Sequence, residues 1–207
     1  MNGPTAERKL VAILRGVRPD EVEAICAQII EAGIAIIEVP LNSPEPLESI
    51  KRLSRQFGGD ALIGAGTVIT AAEVEQVADS GGRLIVSPNC DQDVIRKTLS
   101  EKMVSMPGVF TPSECFSAIS AGARHLKLFP AILAGPRGLN AIKAVMPPDV
   151  SLYAVGGASH ENLDEWIAAG ATGFGIGSAL YKPGMGADEV GQRARQLAAA
   201  WDRAKKT

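Results

Sequence analysis

Eight short runs rich in Val, Ile and Leu, an amphipathic stretch after each, and the lack of any linker or composition break in 207 residues predict a single-domain α/β protein, a (β/α)8 TIM barrel over residues 1–207. The runs are Leu10 to Leu14, Ala35 to Val39, Ala61 to Gly64, Leu84 to Ser87, Met103 to Met106, His125 to Phe129, Ser151 to Val155 and Gly173 to Ile176. Strands of this kind pair in parallel only through a crossover, and each run is followed by a segment of about 10 to 15 residues long enough to supply a helix. An open doubly wound sheet has fewer strands and a switch point in their order, so it fits less well. Ser43 with Pro44, Thr70 with Glu73, and Thr111 with Pro112 and Glu114 each place a capping side chain ahead of a first-turn proline or acid, which marks helix starts. Gly33, Gly81, Gly122 and Gly170 stand where helices should stop.

Composition narrows the function. Lys plus Arg number 21 against 23 Asp plus Glu, a net charge of −2 with no basic block, so nothing can track a nucleic-acid backbone. Aromatic residues at 4% leave no stacking platform for bases. Cys26, Cys90 and Cys115 are odd in number and widely spaced, which reads as reduced structural thiols. His125 and His160 are the only histidines, too few for most metal sets, so no metal and no cofactor are expected. Met1 to Lys9 lacks the charged-then-apolar order of a leader, and no apolar run reaches the roughly 20 residues of a membrane span. The expectation is a cytosolic enzyme or binding protein with a small-molecule ligand.

In a barrel, reactive groups stand at the C-terminal ends of the strands. Side chains alternate along a strand, so Ile36 and Glu38 share one face of the second run, and His125, Lys127 and Phe129 share one face of the sixth. Leu126 and Leu128 suit the helix layer, which turns Lys127 inward. Ile13 and Arg15 are in phase at the end of the first run and add a cation near the mouth. Glu38 and Lys127 could be a structural ion pair, but burying ions costs several kcal/mol each, and three ionisable groups converging at the catalytic end favour chemistry. A lysine with a pKa near 10.4 in water becomes a nucleophile once desolvation and a neighbouring Arg15 favour its neutral form. Glu38 would then move protons during imine formation and carbon–carbon cleavage.

Val155-Gly156-Gly157-Ala158-Ser159 and Gly175-Ile176-Gly177-Ser178 follow the seventh and eighth runs, where barrels bind phosphate through backbone N–H groups and a helix N-terminus. Val155, just before the first of these loops, should lie beside the aldehyde half of a substrate. Gly64-Ala65-Gly66-Thr67 offers close backbone approach and a hydroxyl suited to a carboxylate, and Ser87-Pro88-Asn89 shapes a pocket wall; each alone reads equally as a tight turn.

Taken together, Val11-Ala12-Ile13-Leu14-Arg15-Gly16, Glu38-Val39-Pro40-Leu41, Gly64-Ala65-Gly66-Thr67-Val68, Ser87-Pro88-Asn89, Lys127-Leu128-Phe129-Pro130 and Val155-Gly156-Gly157 follow one another in an order that resembles the 2-keto-3-deoxy-6-phosphogluconate and 6-phosphogalactonate aldolase family, from about Lys9 to Tyr181. The resemblance implies that Lys127 is the Schiff-base lysine and Glu38 the acid/base. It implies that Arg15 and Thr67 hold the keto-acid end, that Pro88 lies against the pyruvyl group, and that Gly156, Gly157, Gly177 and Ser178 hold the phosphate. It also implies a homotrimer that takes a phosphorylated keto-deoxy sugar acid to pyruvate and glyceraldehyde 3-phosphate without a metal.

Relatives acting on the gluconate-derived substrate typically carry Leu-Arg-Thr-Pro and Thr-Gly-Gly where this chain has Leu41-Asn42-Ser43-Pro44 and Val155-Gly156-Gly157. The resemblance is therefore to the galactonate branch, with the gluconate epimer as the alternative substrate and Arg15 standing in for the missing arginine. A phosphosugar isomerase or decarboxylase, or a non-catalytic sensor, would share the phosphate loops but would have no need of the inward Lys127.

Overall fold

The computed structural model describes residues 8–206. The expectation that Met1 to Lys9 carries no leader falls largely outside those residues, as do both ends of the 1–207 domain. Among the described residues nine strands are formed: β1 (Leu10–Ile13), β2 (Ile36–Pro40), β3 (Leu62–Gly66), β4 (Leu84–Val86), β5 (Val104–Met106), β6 (Gly108–Val109), β7 (His125–Leu128), β8 (Ser151–Val155) and β9 (Gly173–Ile176). They pair in parallel in the order β5-β4-β3-β2-β1-β9-β8-β7-β6.

The two ends of that order are consecutive in the chain, so the sheet closes on itself. Its seam is Pro107, which has no N–H to donate to a ladder. β5 pairs with β4 before it and β6 with β7 after it. The fifth expected run is thus one broken barrel strand that continues past Met106. Pro107 still contributes its carbonyl, which accepts the Lys127 N–H at 2.9 Å.

The helices are α1 (Val22–Glu31), α2 (Pro46–Phe57), α3 (Ala71–Asp79), α4 (Gln92–Ser100), α5 (Pro112–Ser120), α6 (Ala131–Lys143), α7 (Leu163–Ala168) and α8 (Ala187–Ala204). α7, with 6 residues, and α8, with 18, depart from the uniform length expected. Thr70 and Thr111 close capping boxes with Glu73 and Glu114. Ser43 does not cap α2. Its backbone N–H turns back to Pro40 O, its hydroxyl accepts from Gly16 N–H, and α2 starts at Pro46 after Glu45. Gly33, Gly81, Gly122 and Gly170 all stand just beyond helix ends at positive φ, as expected.

Strand alternation divides the core into two layers. Leu10, Ala12, Ile37, Val39, Leu126, Leu128 and Phe174 face the helices and belong to the large core. Val11, Ile36, Leu84, Val86, Met106 and Tyr153 face inward and fill the barrel's lower half. Two residues further along those inward faces come Ile13, Glu38, Lys127 and Val155, and there the apolar filling gives way to a cavity. No helix of the described residues is long and apolar enough to cross a membrane.

Candidate active site

The cavity opens at the C-terminal ends of the strands. Eight of the residues singled out from the sequence line it: Arg15, Glu38, Lys127, Val155, Gly156, Gly157, Gly177 and Ser178. Thr67 and Pro88 are not in its lining. Thr67 is half-buried one residue after β3, at φ 59, a left-handed conformation that a β-branched residue adopts only under constraint. Pro88 is half-buried in the loop after β4, with its carbonyl against Gly108, whose strand partner is Lys127.

Glu38 is 2% exposed and Lys127 is 5% exposed. They belong to different sides of the barrel, β2 and β7, and reach its centre because both lie on inward faces. None of the ion pairs among the described residues joins them, and Glu38 Oε2 has no hydrogen-bond partner. A pair that served only to hold two strands together would satisfy both groups.

Burial raises the Glu38 pKa to about 7 against the pull of Lys127 and Arg15. Burial also lowers the Lys127 pKa, opposed by Glu38 and assisted by Arg15. Both shifts move the groups towards proton exchange near neutral pH, the range in which an acid/base and an amine nucleophile work best. Phe129, just after β7, places its ring 4.7 Å from Lys127 Nζ and walls that side of the amine.

The glycines near the site answer different needs. A side chain at Gly66 would collide with the Glu38 carboxylate, and one at Gly64 with the backbone of Leu84. The Gly64-Ala65-Gly66 segment therefore makes room for Glu38 and for the neighbouring strand. Gly156 and Gly157 take φ of 95 and 90, left-handed values that turn the chain sharply after β8. A Cβ at Gly177 would meet nothing within 4 Å, so no protein neighbour requires that glycine. It keeps the cavity wall bare, beside a single helical turn in which Leu180 and Tyr181 N–H both donate to Gly177 O. The opening N–H groups of such a turn have no intrahelical partner and point at whatever lies ahead of it.

Sequence reasoning named Arg15 but missed its partner. Arg15 Nη1 donates to Asn42 Oδ1 at 2.7 Å. It also missed the part Gly66 plays in housing Glu38; the Gly-x-Gly ending of β3 was the available signal. Among the described residues no group of three or more His, Cys, Asp or Glu could hold a metal ion.

A family model described as "KDPG and KHG aldolase" matches residues 3–194. The chain is 52% identical over 199 residues, 96% of its length and 94% of the relative's, to a probable 2-dehydro-3-deoxy-6-phosphogalactonate aldolase of Rhizobium meliloti. It is 44% identical over 192 residues, 93% of its length and 94% of the relative's, to the 2-dehydro-3-deoxy-6-phosphogalactonate aldolase of Escherichia coli. A solved structure of native KDPGal superposes with a TM-score of 0.97 at 41% identity and covers 100% of both chains.

Proposed function

This chain belongs to the KDPG and KHG aldolase family, and from that premise we propose that it cleaves 2-dehydro-3-deoxy-6-phosphogalactonate to pyruvate and glyceraldehyde 3-phosphate through a Schiff base on Lys127. The observation that carries the reading is the buried, unpaired juxtaposition of Lys127 and Glu38 in a cavity bounded on one side by two glycine loops.

Neutral Lys127 Nζ adds to the C2 ketone, and Glu38 protonates the departing oxygen, so that water leaves and an iminium forms. Glu38, now a carboxylate, takes the proton from the C4 hydroxyl. The C3–C4 bond breaks, its electron pair moves towards the iminium as an enamine, and the aldehyde leaves. Protonation of the enamine at C3 and addition of water release pyruvate and restore the amine. The iminium is the electron sink throughout.

Arg15, which lines the cavity, is the cation for the substrate carboxylate; Thr67 and Pro88, outside that lining, are given no contact with it. Gly156, Gly157, Gly177 and Ser178 offer backbone N–H groups and a hydroxyl to the phosphate. The reading extends to a cytosolic homotrimer. Association of copies is supported by exposed apolar side chains after β6 and in the helices that follow β6 and β7: Phe110, Phe116, Ile132 and Leu133.

Pyruvate with borohydride tests the mechanism, since only an imine is fixed by reduction. One reduced pyruvyl group per chain should map to Lys127, and Lys127→Ala should neither trap pyruvate nor cleave substrate. A preparation that cleaves the substrate yet takes up no label would rule out the Schiff base.

A further inference from the structure

Two consecutive residues of the loop after β2 grip two consecutive residues of the loop after β1. Asn42 Oδ1 accepts from Arg15 Nη1 at 2.7 Å, and the buried Ser43 hydroxyl accepts from Gly16 N–H at 2.9 Å. Gly16 itself sits at φ 84, with Pro183 Cγ only 2.7 Å from where a Cβ would be. The backbone that carries Arg15 is thus held by Ser43 on one side and Pro183 on the other.

The guanidinium is held by Asn42. Arg15 is exposed, and a long side chain of that kind loses rotamer freedom whenever a ligand orders it. Asn42 takes up one donor, Nη1, and leaves Nε and Nη2 without a partner among the described residues. A carboxylate is received bidentately on such an edge. Arg15 lines the cavity and Asn42 does not, so the route from Asn42 to the ligand runs through the hydrogen bond to Arg15. A cationic residue at position 42 would have no oxygen to offer and would repel the guanidinium.

We propose that Asn42 is a positioning residue for Arg15, its amide oxygen fixing the guanidinium at the cavity mouth so that the cation meets the carboxylate of the keto-acid substrate. The inference rests on the aldolase reading above. Arg15 also acts on the two buried groups. The charged groups facing Glu38 are Lys127 and Arg15, and those facing Lys127 are Glu38 and Arg15; the arginine lowers both pKa values. Releasing Arg15 therefore weakens keto-acid binding and moves both limbs of the pH–rate profile upward. A purely structural role for the loop would not move the profile in that way.

The test titrates borohydride trapping with pyruvate in the full chain, for wild type, Asn42→Ala, Arg15→Ala and the double variant. Asn42→Ala should raise the half-saturating pyruvate concentration roughly tenfold, the usual scale for losing a hydrogen bond to a charged group. The double variant should bind pyruvate no more weakly than Arg15→Ala alone, because Asn42 has nothing to act through once Arg15 is gone. If Asn42→Ala does not fold, Asn42→Leu removes the same acceptor at similar volume and reports the same quantity. Unchanged half-saturation in these variants overturns the proposal, as does an Asn42 penalty that recurs undiminished without Arg15. Wild-type protein that traps no pyruvate at Lys127 would overturn the aldolase reading, whereas normal trapping with an unmoved half-saturation overturns only the role of Asn42.

Discussion

At the scale of single residues, the burial that makes Glu38 useful also costs stability. Below its ordinary pKa of 4.5 the carboxyl is protonated in the folded and unfolded chain alike. Between 4.5 and about 7 the unfolded chain ionises and the folded one does not, so stability falls through that window and the full cost is present above it. The loss is on the order of 3 kcal/mol. Glu38→Gln has no such proton to lose, so its stability in urea should gain on wild type as pH rises from 4.5 to 8, while turnover drops roughly 100- to 10,000-fold. Parallel stability profiles for the two proteins would show that Glu38 is not held protonated by burial. Val155 lines the cavity together with Glu38, and in the proposed aldolase reading its side chain stands beside the C4 hydroxyl whose proton Glu38 takes. Valine cannot hydrogen-bond that oxygen, so Val155→Thr should shift the ratio of kcat/KM values several-fold towards the gluconate epimer, the change expected from about 1 kcal/mol. Equal ratios in both proteins would remove Val155 as a determinant. Alternation along β2 and β7 made Glu38 and Lys127 legible from sequence, because period two is a local property. Asn42 and Gly66 were not legible in the same way: each acts on a residue of a neighbouring strand or loop, and only the register of β1, β2 and β3 brings them together.

At the scale of elements, helix ends follow local chemistry closely enough to be read from the sequence. After α1, α3, α5 and α7 the glycine N–H returns to a carbonyl three residues back, and the following N–H to one five residues back, a paired closure that requires the left-handed conformation. α4 ends with the same two bonds, Lys102 N–H to Leu99 O and Met103 N–H to Thr98 O, but with Lys102 at φ 58. A non-glycine residue there carries a steric cost of about 1–2 kcal/mol, and glycine recovers part of it after its greater freedom in the unfolded chain is subtracted. Lys102→Gly should therefore stabilise the protein by roughly 0.5–1 kcal/mol, seen as a higher urea midpoint with an unchanged slope. A lower midpoint would mean that the lysine side chain contributes more than its backbone costs. The start of α2 was misread for a physical reason: Ser43 has a hydroxyl suited to capping, yet the turn at Pro40 to Ser43 and the left-handed Glu45 carry the chain two residues further before it winds.

At the scale of the whole molecule, eight apolar runs fixed the number of barrel strands, but not how the ring closes. Closure depends on Pro107, where one strand is split so that each half serves a different neighbour. Nor does an apolar residue in a sequence declare whether its face is covered by the same chain. Ile132 and Leu133, at the start of α6, are 67% and 74% exposed, although α6 is the helix that follows the strand carrying Lys127. Side chains of that size left in water cost about 1.5–3 kcal/mol each relative to burial, which favours covering them with other copies of the chain. Ile132 also lies 2.9 Å from where a Cβ on Gly157 would stand, so the same segment borders the loop assigned to phosphate. A charge placed there should oppose association without touching Lys127 or Glu38. Sedimentation of wild type is expected to give three times the 21.6 kDa chain mass, and Leu133→Glu a single chain of unchanged helical content. If Leu133→Glu sediments as wild type does, the surface at the start of α6 is not where the copies meet; a wild type that sediments as one chain would remove the trimer altogether.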